Sequence, residues 1–119
     1  MIKEKYCLIM LFDFYGNLLT TNQKSILDLY CNYDLSLGEI SERKGISRQG
    51  VYDTVKRSEN KLKNFEKKLK LVEKFGIIRE SVDEFSDLIA KIEGQVDSQS
   101  VEKDLTELKS VVNKIIEAY

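Results

Sequence analysis

From Val51 almost to the end of this 119-residue chain, apolar side chains return at alternating intervals of four and three residues. Val51, Val55, Ser58, Leu62, Phe65, Leu69 and Val72 form one such series, with Ser58 its only polar member. Ile78, Val82, Phe85, Ile89, Ile92 and Val96 form a second, and Val101, Leu105, Leu108, Val112, Ile115 and Tyr119 a third. That spacing places one apolar seam along a helix and does not suit a strand. The chain contains no proline, so nothing forbids long helices, and an all-α fold is expected. A chain of this size builds a core without disulfides or metals. Three seams need partners. They pack on one another as an intramolecular bundle, or they form all or part of a homodimer interface.

Residues 36–52 add punctuation to this pattern. Ser36 caps a helix, and Glu39 three positions on completes a capping box. Gly45 follows Lys44 where a left-handed residue is wanted to end that helix. Ser47 then caps a second helix. Leu37, Ile40, Ile46, Val51 and Val55 supply the buried faces, and the small Ser41 sits where the two helices cross. Two short helices joined by so tight a turn make a helix-turn-helix, with the second helix as the recognition helix. Gly50 is unusual inside a helix, where it costs about 0.5–1 kcal/mol relative to alanine. It either lets the helix approach a neighbour closely or is simply tolerated.

Upstream, a first helix is expected over about residues 3–14, with Tyr6, Met10 and Phe14 on its apolar face together with Cys7 and Leu11. Gly16 and Asn17 end it. Thr20 and Gln23 form another capping box, opening a helix over about 21–32 with Ile26, Leu27, Leu29, Tyr30 and Tyr33 as apolar positions. Asn32 and Asp34 mark a turn. Downstream of Ser47 no stop signal occurs before Gly76, so one helix is expected over 47–75, about 43 Å long. Ser81 and Glu84 form a further capping box, and 94–100 is a polar break. The expected organisation is a helix-turn-helix domain over 1–75 and a C-terminal helical region over 76–119 for packing or dimerisation.

Several chemistries are excluded by what is missing. With no histidine there is no Ser-His-Asp triad, no histidine metal ligand and no histidine pH switch. Cys7 and Cys31 are too far apart in sequence for a Cys-x-x-Cys motif and are expected as buried free thiols. Gly45 and Gly50 have the glycine spacing of a phosphate-binding loop, but Val51 and Tyr52 stand where lysine and a hydroxyl are required. No catalytic site, metal or cofactor is expected. The apolar run Leu8–Phe12 ends at Asp13, too short for an export signal or a membrane span, so a cytoplasmic location is expected.

Charge is partitioned along the chain. Residues 1–42 carry a net −3, residues 43–74 a net +7 and residues 75–119 a net −5. A local basic stripe beside a helix-turn-helix is the footprint of phosphate contact. A solvated helix face with pairs such as Glu66 and Lys70 is the plainer reading. For double-stranded DNA, Arg48 and Gln49 at the start of the recognition helix are placed to reach base edges, arginine toward guanine and glutamine toward adenine. Ser36, Ser47 and Thr54 are candidate phosphate donors, and Lys44, Lys56, Arg57 and Lys61 supply sequence-independent attraction. Tyr52 stacks on sugar, touches a thymine methyl or covers the core. Asp53 accepts from cytosine or holds Arg57 four residues on.

The segment Leu18–Leu37 running into this unit resembles region 4 of bacterial sigma factors. The resemblance to the YlxM family of small helix-turn-helix proteins is closer. It rests on residues 35–41 (Leu-Ser-Leu-Gly-Glu-Ile-Ser), residues 47–53 (Ser-Arg-Gln-Gly-Val-Tyr-Asp) and Lys56-Arg57, with the long Glu/Lys-rich helix behind. It is specific over 18–75, while 76–119 match only in being helical. Gly50 stands where alanine is expected. The resemblance implies a sigma-region-4-like unit without a promoter-melting region, in a family linked to the signal recognition particle pathway. Two functions follow as expectations: a DNA-binding regulator, or a direct accessory that binds the RNA or the GTPase protein of the particle. A purely structural tri-helical unit is a third.

Overall fold

In a computed structural model, residues 2–95 and 99–118 are described, and they are all-α. Six helices follow in order: α1 Ile2–Tyr15, α2 Thr21–Cys31, α3 Leu37–Lys44, α4 Arg48–Leu69, α5 Leu71–Glu93 and α6 Gln99–Glu117, with a 3₁₀ turn at Gly16–Leu18. The chain divides into two compact units, Met1–Val72 and Glu73–Tyr119.

The local punctuation works as the residue types dictate. Thr20 accepts from the Gln23 N–H while the Gln23 side chain accepts from the Thr20 N–H. Ser36 and Glu39 do the same for α3. These reciprocal bonds satisfy donors that a helix N-terminus otherwise leaves orphaned. Gly45 ends α3 at φ 68°. Asp34 turns the chain at φ 52°.

In the first unit, α1, α2 and α3 all pack on α4. Leu8, Leu11, Phe12 and Tyr15 from α1 meet Ile26, Leu27 and Leu29 from α2, Ile40 from α3, and Val51, Val55 and Leu62 from α4. Ser58 lies in this core with its hydroxyl donating to the Thr54 carbonyl at 2.7 Å. The buried face of α1 differs from the expected one. Met10 and Phe14 are only half-buried and Cys7 is exposed, while the Tyr6 side chain lies outside the described residues. Residues 8–12 are apolar all round the helix, so periodicity could not select a face. Of the two thiols only Cys31 is buried, and burial pushes it up to about 11. Tyr33 and Ile46 are exposed, not core.

The helix expected over 47–75 is interrupted. Lys70 takes a left-handed conformation at φ 54°, α4 stops at Leu69 and α5 starts at Leu71. Leu69 leaves the seam for solvent, whereas Phe65, Leu71 and Val72 pack against the core. The buried Tyr15 hydroxyl enforces the break. It accepts from the Leu71 N–H at 3.0 Å and donates to the Glu66 carboxylate at 2.6 Å, and that carboxylate accepts from the Val72 N–H at 3.0 Å. Gly76 is not a stop and Ser81 is not a cap. Both lie inside α5, with the Ser81 hydroxyl donating to the Ile77 carbonyl.

In the second unit α5 and α6 run antiparallel. Lys109 pairs with Glu93, and Ser86 and Ile89 line a shallow cleft with Val112 and Asn113. Val82, Ile89, Leu105 and Val112 are buried, with Val101 and Ile116 packed beside them. Among the described residues, part of each expected seam is open. Ile78, Phe85 and Ile92 on α5 and Leu108 and Ile115 on α6 are exposed, because one partner helix covers only one line of a two-line seam. Val96 and Tyr119 lie outside the described residues. No helix among the described residues is long and apolar enough to cross a membrane.

Candidate nucleic-acid interface

The turn between α3 and α4 is closed from inside. The Ser41 hydroxyl donates to the Ile46 carbonyl at 2.6 Å, and the Gly45 and Ile46 N–H groups both donate to the Ser41 carbonyl. Ser41 thus locks the turn rather than merely permitting close crossing. The Ser47 hydroxyl then accepts from the Gly50 N–H at 3.0 Å to start α4. Val51, Val55, Ser58 and Leu62 anchor the opposite side of that helix in the core. A helix held by a cap and a buried seam presents its outer face in a fixed orientation, as an interface needs.

That outer face carries most of the expected residues. Arg48, Gln49, Tyr52, Asp53, Lys56 and Arg57 are all exposed in the first three turns of α4. Gln49 donates to Asp53 at 3.0 Å. Asp53 is therefore held by Gln49 and not by Arg57. Lys56 lies 3.5 Å from Glu59. Ser36 and Ser47 are exposed but use their oxygens as caps, leaving each hydroxyl proton for a further acceptor. Lys44 ends α3 and donates to the Ser25 hydroxyl. Thr54 is half-buried with its hydroxyl on the Gly50 carbonyl at 2.9 Å, turned away from the outer row. Lys61 is half-buried on the flank.

The outer row continues beyond the residues singled out from sequence. Asn60, Lys63, Asn64 and Lys67 are exposed and follow Gln49, Asp53 and Lys56 at three- and four-residue steps. Arg43 is exposed in the last turn of α3. The same 3.6-residue period that placed Gln49 and Lys56 outward was sufficient to find them. Glu59 sits between Lys56 and Lys63, 3.2 Å from the latter, and tempers the charge locally. Among the described residues no group of His, Cys, Asp or Glu could hold a metal ion.

These features define a helix-turn-helix protein whose second helix presents a basic, hydrogen-bonding face. The chain belongs to the family UPF0122, "Putative helix-turn-helix protein, YlxM / p13 like", whose model matches residues 2–108. It is 41% identical over 113 residues to a UPF0122 protein of Desulforamulus reducens, covering 95% of this chain and 97% of the relative. A UPF0122 protein of Acetivibrio thermocellus is 46% identical over 111 residues, covering 92% and 93%. The UPF0122 protein YlxM of Bacillus subtilis is 40% identical over 105 residues, covering 88% and 89%.

Proposed function

We propose that this chain is a non-enzymatic, sequence-specific binder of double-stranded DNA that acts in the cytoplasm as a homodimer and regulates genes of the signal recognition particle pathway. One observation carries the reading: the first three turns of α4 expose Arg48, Gln49, Tyr52, Asp53, Lys56 and Arg57 on a helix capped by Ser47 and anchored in the core. An α-helix fits the major groove, where bidentate arginine and glutamine contacts discriminate bases by about 1–3 kcal/mol each. Lys44, Lys56, Arg57 and Lys61 supply the phosphate attraction, and two copies read two half-sites. The test is anisotropy with labelled duplex DNA across a salt series. Affinity falls steeply with log salt, and Arg48→Ala with Gln49→Ala levels selected and random duplexes. A salt-independent constant overturns the reading.

A second reading is favoured by the length of the basic row. Lys63 and Lys67 lie beyond the turns that enter a groove, and backbone contact without base reading suits a folded RNA. On this reading the chain is an accessory of the signal recognition particle that grips its RNA or its GTPase protein. Competition of particle RNA against duplex DNA at matched salt separates the two, since only the first reading predicts loss of specificity from Arg48→Ala with Gln49→Ala.

A further inference from the structure

The α5–α6 pair is open on one side. Val82 and Ile89 face α6, while Ile78, Phe85, Leu88 and Ile92 form an exposed stripe; on α6, Leu105 and Val112 face α5, while Leu108, Val111 and Ile115 are exposed. At 3.6 residues per turn each exposed stripe lies roughly 60–100° to the same rotational side of its helix's buried line. Because the helices are antiparallel, both stripes open on one face of the pair. Between Ile77 and Ile92 the only polar side chain on the α5 stripe is Ser81, and between Leu108 and Ile115 the α6 stripe carries none.

This face is too large to stand alone. Phe85 is 47% exposed and Leu88 and Val111 are each 51% exposed. With their neighbours they leave on the order of 700 Å² of apolar surface, above the roughly 300–600 Å² of a typical monomer's largest patch. That matches the roughly 800 Å² each partner gives a stable interface. Among the described residues the unit buries only Val82, Ile89, Leu105 and Val112, with Val101 and Ile116 packed beside them, a core too small to hold two helices together without a further layer. The layer has to be present whenever the chain is folded, which a second copy provides.

We propose that the open face of α5–α6 is covered by the same face of a second copy, closing a four-helix bundle about a two-fold axis that crosses α5 near Leu88 and α6 near Val111. The charges bordering the face set this geometry. Glu84 and Lys91 border it on α5, and Glu107 and Lys114 border it on α6, each pair seven residues apart. Laying α5 antiparallel on its counterpart sets Glu84 against the partner's Lys91 about an axis near Leu88. The same operation on α6 sets Glu107 against the partner's Lys114 about an axis near Val111. Ile89 lies beside Val112, so on these antiparallel helices Leu88 and Val111 stand about 3 Å apart in height, less than one turn, and one rotation brings both charge pairs within side-chain reach. Self-complementarity of this kind is what an isologous interface requires.

This specifies the dimer invoked above, but its readouts are mass and cross-linking, so it and the DNA reading fail separately. Sedimentation of the full chain at micromolar concentration gives twice the 13.8 kDa chain mass. Phe85→Glu with Val111→Glu halves it, while Leu18→Glu, an exposed apolar position in the other unit, leaves it unchanged. In a Cys7→Ser background, Leu88→Cys forms a disulfide-linked dimer under mild oxidation, a measurement that introduces no charge into the face. A wild-type monomer, a double variant that stays dimeric, or a dimer that Leu88→Cys fails to cross-link overturns the proposal.

Discussion

The Tyr15 hydroxyl donates to the Glu66 carboxylate at 2.6 Å across 51 residues of chain, and the two side chains together cap the first N–H groups of α5. Tyr15 is 1% exposed, and its ring packs on Phe65 at 5.9 Å. Removing the hydroxyl leaves the Leu71 N–H and one Glu66 contact unmet in a part-buried site. Tyr15→Phe is expected to destabilise the fold by about 1–3 kcal/mol, read as a lower urea midpoint.

Lys70 meets the steric cost of a left-handed backbone without the freedom of glycine. Lys70→Gly is expected to raise stability by about 1 kcal/mol, because the side-chain penalty disappears while the Tyr15 and Glu66 bonds remain. Lys70→Ala keeps the penalty and gains nothing. The two melting temperatures, measured side by side, check the difference.

Gly50→Ala is expected to stabilise α4 by about 0.5–1 kcal/mol through helix propensity. An added Cβ meets the Ser47 hydroxyl oxygen at 3.1 Å, a tight contact. Glu39 and Gln23 carry a Cβ at the equivalent position of α3 and α2 and coexist with the same cap bond, so the serine has room to adjust. A rise in melting temperature is the expected readout, and a fall would show that the cap cannot yield.

The two cysteines separate by reactivity and by pH. Cys7 is exposed and Cys31 buried, so the folded chain reacts with a thiol reagent at one position, and the second follows only on unfolding. Burial raises the Cys31 thiol from 9.0 to about 11. Between those values the folded state holds a proton that the unfolded chain has lost. Stability is therefore fully present below pH 9 and falls as pH rises toward 11, by up to about 2 kcal/mol. Tyr15 is also raised, by burial and then by its bond to Glu66, and adds to the decline above pH 10. Urea midpoints at pH 8 and pH 10.5 check this, since Cys31→Ala flattens the first part of the slope.

The helix starts at Thr20, Ser36 and Ser47 and the stop at Gly45 were legible because each is decided within four residues by a cap or a left-handed glycine. The break at Lys70 was not. Nothing in Lys68–Val72 disfavours a helix, and the contact that imposes the turn comes from Tyr15, whose approach is a product of tertiary packing. Gly76 and the Ser81–Glu84 pair misled in the opposite direction, since a helix absorbs one glycine and a serine can turn its hydroxyl back to Ile77. On the outer face of α4, Arg48, Gln49 and Lys56 followed from period alone, but the Gln49–Asp53 bond did not. Asp53 had two basic or amide neighbours within reach, and side-chain choice between them is not written in spacing.

The Ser47 cap and the Tyr15–Glu66 contact bound α4 at both ends, which makes its length a measured quantity. One residue inserted between Val55 and Leu62 would turn Glu66 about 100° around the helix relative to Ser47, out of reach of Tyr15. The outer row would fall out of phase by the same angle, so Lys63 and Lys67 would no longer continue the line from Gln49. Descendants of this sequence are thus held to a fixed count between Ser47 and Glu66.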